Sequence, residues 1–129
     1  MENCQVTITT ITDGNESQII RHGEMETSVS EVKICYREEN ATVFLSTQNG
    51  RIEIERKGDY SLRLTLEQGK QSVGILGIGG AEGEVLTFAH QVAYSVSKNS
   101  VLMALKYDLI ISGEIQEMKL RLLARFHKV

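Results

Sequence analysis

Apolar and polar side chains alternate along most of this chain with a period of two, the pattern of a strand with one buried and one wet face. The clearest instance is Tyr60-Ser61-Leu62-Arg63-Leu64-Thr65-Leu66. The same alternation sets Val32, Ile34 and Tyr36 against Lys33, Cys35 and Arg37, and Ile52 and Ile54 against Arg51, Glu53 and Glu55. A β-branched run, Val6 to Ile11, ends at Asp13-Gly14, and Val43 and Leu45 precede Gln48-Asn49-Gly50; both pairs are strong hairpin signals. A further run covers Ser17 to Thr27 with Gly23 inside it as a candidate bulge or bend. After Gln68-Gly69-Lys70 the chain predicts a strand from Val73 to Ile78, and the absence of proline favours long regular strands.

The final third reads two ways. Glu114 to Phe126 fits a helix with Ile115, Met118, Leu122 and Phe126 on one side, and its helix propensity is high. It also fits a strand with Met118, Leu120, Leu122, Ala124 and Phe126 on one face and Lys119, Arg121 and Arg125 on the other. Val101 to Ile111 alternates just before it, and Ser112-Gly113-Glu114 resembles a hairpin turn, so two long strands are the expectation. Leu86 to Val96 carries the same ambiguity and the same expectation. The sum is about ten strands in one all-β domain over residues 1–129, a sandwich or a barrel.

Composition narrows the function classes more than it selects one. The chain has 129 residues, 24% charged, with a net charge of −3, which makes a general nucleic-acid binder unlikely, since such domains carry a basic surface. The charge is uneven. Glu2, Asp13, Glu16, Glu24, Glu26 and Glu31 face a single Arg21 in the first 31 residues, whereas Lys119, Arg121, Arg125 and Lys128 stand without an acid near the end. No apolar run approaches the roughly 20 residues of a spanning helix. With no secretion-type leader and only Cys4 and Cys35 as thiols, the expectation is a cytoplasmic protein with reduced cysteines and no membrane partner.

No motif here carries a known chemistry. Gly79-Gly80-Ala81-Glu82-Gly83 lacks the Gly-Lys-Ser/Thr ending of a phosphate loop and reads as a tight turn. There is no Gly-x-Ser-x-Gly elbow and no His/Cys/Asp spacing for a metal. Enzymatic activity, a metal and a cofactor are therefore not expected.

The order of Gly23, Tyr36-Arg37-Glu38-Glu39 and Ile54-Glu55-Arg56-Lys57-Gly58 resembles the YwiB-like family of uncharacterised bacterial proteins. So does the later Leu66-Glu67-Gln68-Gly69-Lys70, followed by Gly83-Glu84, Tyr107 and Gly113. The resemblance implies a calycin-like, lipocalin-type antiparallel barrel of about 8–10 strands with little helix, and a bacterial cytoplasmic setting. It supplies no catalytic residues. The chain departs from the true lipocalin pattern in having no tryptophan, and no helical lid follows the first strand, so a lipid-carrying role does not transfer.

A closed barrel of this size holds a small ligand or fills itself with side chains. Parity places Arg56 on the inward face with Ile52 and Ile54. Arg21 joins Ile19 and Met25 there, provided Gly23 does not flip the register. His90 shares a face with Leu86, Phe88, Val92, Tyr94 and Val96, and Tyr36, Tyr60 and Tyr107 join apolar faces in the same way. An arginine facing a cavity needs a carboxylate or an anionic ligand. Arg21, Arg56, His90, Tyr36 and Tyr107 are therefore the candidates for binding a small apolar or amphipathic anion. The alternative is a surface that binds RNA or an acidic protein through Lys119, Arg121 and Arg125.

Overall fold

Ten strands follow one another in the computed structural model, which describes residues 1–127. They are β1 (Glu2–Thr12), β2 (Asn15–Thr27), β3 (Glu31–Glu38), β4 (Ala41–Gln48), β5 (Arg51–Gly58), β6 (Tyr60–Glu67), β7 (Gln71–Ile78), β8 (Ala81–Val96), β9 (Ser100–Ile111) and β10 (Glu114–Phe126). Each pairs antiparallel with its neighbours in sequence, and β1 pairs with β10 to close the barrel. The all-β reading holds throughout the described residues, including both ambiguous segments. In β10 the intrinsic helix preference yields because Leu122 and Ala124 are completed by Ile8 and Val6 of β1 and by Met103 and Val101 of β9. A helix could not offer both of its sides to neighbouring strands.

The turns follow the hairpin chemistry of the sequence. Asp13-Gly14, Asn49-Gly50 and Ser112-Gly113 each place both residues at positive φ, between 50° and 80°, as a two-residue type I′ turn requires. The five turns that follow β1, β3, β5, β7 and β9 lie at one end, here the upper mouth. The other four turns and both strand ends Glu2 and Phe126 lie at the lower end.

The inward rows of all ten strands meet in one core. Cys4, Val6, Met25, Ile52, Val101, Met103 and Ala124 have 0% accessible surface. A void large enough for water would leave accessible surface on its walls, so the middle of the barrel is filled by its own side chains. Toward the upper mouth the lining loosens: Ile19, Leu62, Leu76, Leu109, Met118 and Leu120 pack on the core yet stay partly accessible.

Two seams in the wall are short. β6 and β7 share four rungs, Tyr60–Arg63 with Ile75–Ile78, and β2 and β3 share five, Gly23–Thr27 with Val32–Tyr36. Gly23 is not the bulge its sequence position suggested, because the rung Cys4–Gly23–Tyr36 is regular. Its reason is closeness. A Cβ there would stand 2.4 Å from the Cys35 carbonyl oxygen and 3.1 Å from Tyr36 Cβ. Above this rung β2 leaves β3, and Asn15 to His22 keep β1 as their only strand neighbour.

Gly23→Ala should therefore push β2 off β3 and cost about 1–3 kcal/mol, the scale of overpacking a tight site. Urea denaturation measures this, and a variant as stable as the parent would contradict the close-approach account.

Candidate functional site

Arg56 sits on the inward face of β5, on the rung Val43–Arg56–Leu62, as parity predicts. An inward guanidinium needs partners, and the protein supplies them at both terminal nitrogens. Its side chain is only 12% accessible; one terminal nitrogen lies 2.8 Å from Asp59 Oδ1, and Nη1 donates to the Tyr60 carbonyl at 2.7 Å. Nε stands 3.5 Å from Glu38 Oε2, an ion-pair contact without a hydrogen bond. The Tyr60 ring lies beneath the guanidinium, 3.7 Å from Cζ to centroid, a cation–π arrangement that suits a partly desolvated cation. Arg56 thus ties the end of β3 to the β5–β6 turn.

Arg21 has no such partners. It faces inward on β2 opposite Val6, one inward position above Gly23. Its one hydrogen bond is from Nη1 to the Ile20 carbonyl, 3.1 Å away, and no carboxylate among the described residues lies within ion-pair distance. Tyr36 is close enough for the Arg21 charge to act on its hydroxyl. Tyr36 and Tyr107 are 5% and 6% accessible, and neither hydroxyl hydrogen-bonds to another described residue. Burial pushes the Tyr36 hydroxyl well above the ordinary tyrosine range, with Glu38 and Tyr107 adding to the rise and Arg21 opposing it. Burial, with a smaller contribution from Tyr60, pushes Tyr107 up to about 12. Arg21 and Tyr36 occupy adjacent inward levels of β2 and β3, and Arg56 braces Glu38 and Tyr60 toward the upper mouth.

His90 belongs elsewhere, and its inward placement is corrected here. Ala89 pairs with Tyr107 but Gln91 pairs with Lys106, so His90 is the extra residue of a β-bulge. Before the bulge Val85, Thr87 and Ala89 face inward; after it Val92 and Tyr94 do. Leu86, Phe88 and His90 are outside. His90 Nε2 lies 2.9 Å from Asp108 Oδ2, and the ring meets the edge of Phe88 at 4.9 Å. A parity argument carried through one unseen bulge inverts every residue on one side of it.

A family model described as Domain of unknown function (DUF1934) matches residues 28–122. The chain belongs to the DUF1934 family. The YwiB-like grouping expected from the spaced residues agrees with the crystal structure of the ywiB protein from Bacillus subtilis. That structure superposes with a TM-score of 0.78, covering 98% of this chain and 91% of that one at 14% identity. At that identity the likeness shows the shared barrel. No curated protein matches the chain.

In this DUF1934 barrel the basic row is a real surface feature. Lys119, Arg121 and Arg125 point outward from β10 and are exposed. Lys106 of β9 stands directly opposite Lys119, a like-charge cross-strand pair that costs stability. No ion pair among the described residues involves these four cations. Lys128 lies outside the described residues. No group of three His, Cys, Asp or Glu among the described residues is placed to hold a metal ion. Cys4 is buried inside the wall, and Cys35 is partly exposed on the outer face of β3. Burial raises both thiols, Cys4 to about 11, with Glu24 adding to each rise.

A broad open hollow of about 1140 Å³ lies at the lower end, lined in part by Met25, Asn99, Arg125 and Phe126. Sequence parity set Tyr60 on the inward face but missed the roles of Glu38 and Asp59, although the nearness of Asp59 to Arg56 was a usable signal.

Two outcomes follow from the buried polar groups. Arg56→Met removes the charge-assisted bonds to Asp59 and the Tyr60 carbonyl, so it should destabilise the protein by about 1.5–3 kcal/mol, the range for hydrogen bonds to charged groups. Chemical denaturation would read it, and unchanged stability would remove Arg56 from its bracing role. The tyrosines predict alkaline lability. Their folded values exceed the unfolded value of about 10, so their contribution is fully present below about pH 10 and is lost as pH rises through the folded values. Melts from pH 9 to 12 should show flat stability, then a decline. Tyrosinate absorbance should show Tyr36 and Tyr107 ionising only with unfolding. If all four tyrosines titrate normally in the folded protein, the assignment fails.

Proposed function

We propose that this barrel is a non-enzymatic binding module that holds the anionic head of a small amphipathic molecule at its upper mouth. Arg21 supplies the charge. The Tyr36 and Tyr107 hydroxyls supply hydrogen-bond donors, and Leu62, Leu76, Leu109, Met118 and Leu120 supply an apolar lining for the rest of the molecule. The observation that carries this reading is Arg21 itself, an inward-facing cation with no carboxylate partner among the described residues, set where β2 departs from β3 and near the buried Tyr36, whose hydroxyl bonds to no other described residue. A charge so placed gains most from an anion that accepts charge-assisted hydrogen bonds.

The filled middle of the barrel limits the ligand. Side chains with 0% accessibility leave no room for a long tail below the mouth, so the molecule lies shallow, over the partly accessible leucines. Arg56 organises the site by holding Glu38 and Tyr60 and is not the anchor. His90, on the outer surface, takes no part.

The test combines native mass spectrometry of freshly purified protein with titration of 8-anilinonaphthalene-1-sulfonate, a compact anionic amphiphile that reports binding by fluorescence. The parent should bind the probe, and Arg21→Met should weaken binding by about 2–5 kcal/mol, the scale for truncating one partner of a desolvated charge pair. A parent protein that carries no small molecule and does not take up the probe would end this reading.

A further inference from the structure

The acidic early segment and the basic final strand do not pair within the molecule, although only β1 separates them. The ladder fixes their levels. Across β10, β1 and β2 the outward rungs are Lys119–Ile11–Glu16, Arg121–Thr9–Gln18, Leu123–Thr7–Ile20 and Arg125–Gln5–His22. The middle strand shows solvent no charge. One flank is basic. The other carries Glu16 and Glu24 around Ile20, which is 57% exposed. No ion pair among the described residues joins the flanks.

Such a face is complementary to itself. A two-fold axis running along β1 in the plane of contact keeps each rung at its level and exchanges the flanks, so β10 of one copy lies over β2 of the other. Lys119 then meets Glu16 of the second copy, Leu123 meets the exposed Ile20, and the uncharged rows of β1 meet each other. We infer that the outer face of β10, β1 and β2 is a docking surface for a second copy of this chain, giving an isologous dimer. Sheets packed face to face cross at about 30°, which keeps the central rungs aligned and lets the ends diverge.

The charge pattern favours this occupant over a nucleic acid. A polyanion would have to lie along β10 with Glu16 and Glu24 only two strands away, and no aromatic ring other than histidine stands on this face to stack on bases. The contact is small. Three strands about 4.8 Å apart, each about 30 Å long, give a footprint of roughly 400 Å² per copy. That is below the roughly 800 Å² of a standard interface, so the dimer forms with rising concentration and weakens with salt.

Sedimentation velocity on the intact protein across a wide concentration range, in low and high salt, tests the inference. The expected result is a monomer–dimer equilibrium. Lys119→Glu and Glu16→Lys each weaken it by about tenfold or more, because like charges then face each other, and the two reversals combined restore dimerisation. Circular dichroism confirms that each variant remains folded, and restoration in the double variant excludes unfolding as the cause of the single losses. A monomer at every concentration overturns the inference, as does a dimer indifferent to both single reversals. A monomer that instead shifts RNA in low salt overturns it too and assigns the basic flank to nucleic acid.

Discussion

Only five rungs join β2 to β3 in the wall of this barrel, and the tightness of that seam governs what lies above it. Gly23 brings the β2 backbone against Cys35 and Tyr36 more closely than any side chain would permit. Because the pairing starts there and runs downward, the upper half of β2 is released from β3. The release shapes the upper mouth, where Ile19, Met118 and Leu120 are partly accessible while Val6 and Ile8 on the facing strand stay buried. Arg21 stands at this boundary, and the absence of a carboxylate partner for it among the described residues follows from where the wall parts.

The two inward arginines show how similar positions acquire different roles. Arg56 is surrounded by groups its own turn supplies. The short β5–β6 connection returns Asp59 and the Tyr60 ring onto it, and β3 ends close enough to contribute Glu38. Desolvation is offset locally, so this cation is part of the frame. Arg21 lies on a strand whose neighbour has ended its pairing, so no turn delivers a carboxylate to it. The difference lies in the topology around each residue rather than in burial alone.

Much of this was legible in the residues. Period-two alternation marked the strands, and Asp-Gly, Asn-Gly and Ser-Gly marked hairpins because few residues reach positive φ at low cost. Parity placed Arg21, Arg56, Tyr36 and Tyr107 inside because their strands run without an inserted residue between them and their apolar references. Parity failed for His90 because the residue itself is the insertion, and the segment Phe88-Ala89-His90-Gln91-Val92 contains no glycine to announce a bulge. The partners of Arg56 across β3 were out of reach, since alternation says which face a residue occupies and not which strand end arrives beside it. Likewise the uneven charge was visible along the chain, whereas the placement of acid and base on either side of a neutral strand needed the ladder.

The circuit of pairing also has a temporal side. Every strand pairing but one joins neighbours in sequence, and such hairpins form quickly after a short loop closes. The exception joins β1 to β10, Cys4 opposite Phe126, so the first strand waits for the last. During synthesis nine strands can associate in a curved, open sheet whose two bare edges invite pairing with other chains. Only when β10 has left the ribosome does the sheet meet itself, and the loop entropy of nearly the whole chain is lost in that step. The interval before closure is when this protein most needs protection from its own kind.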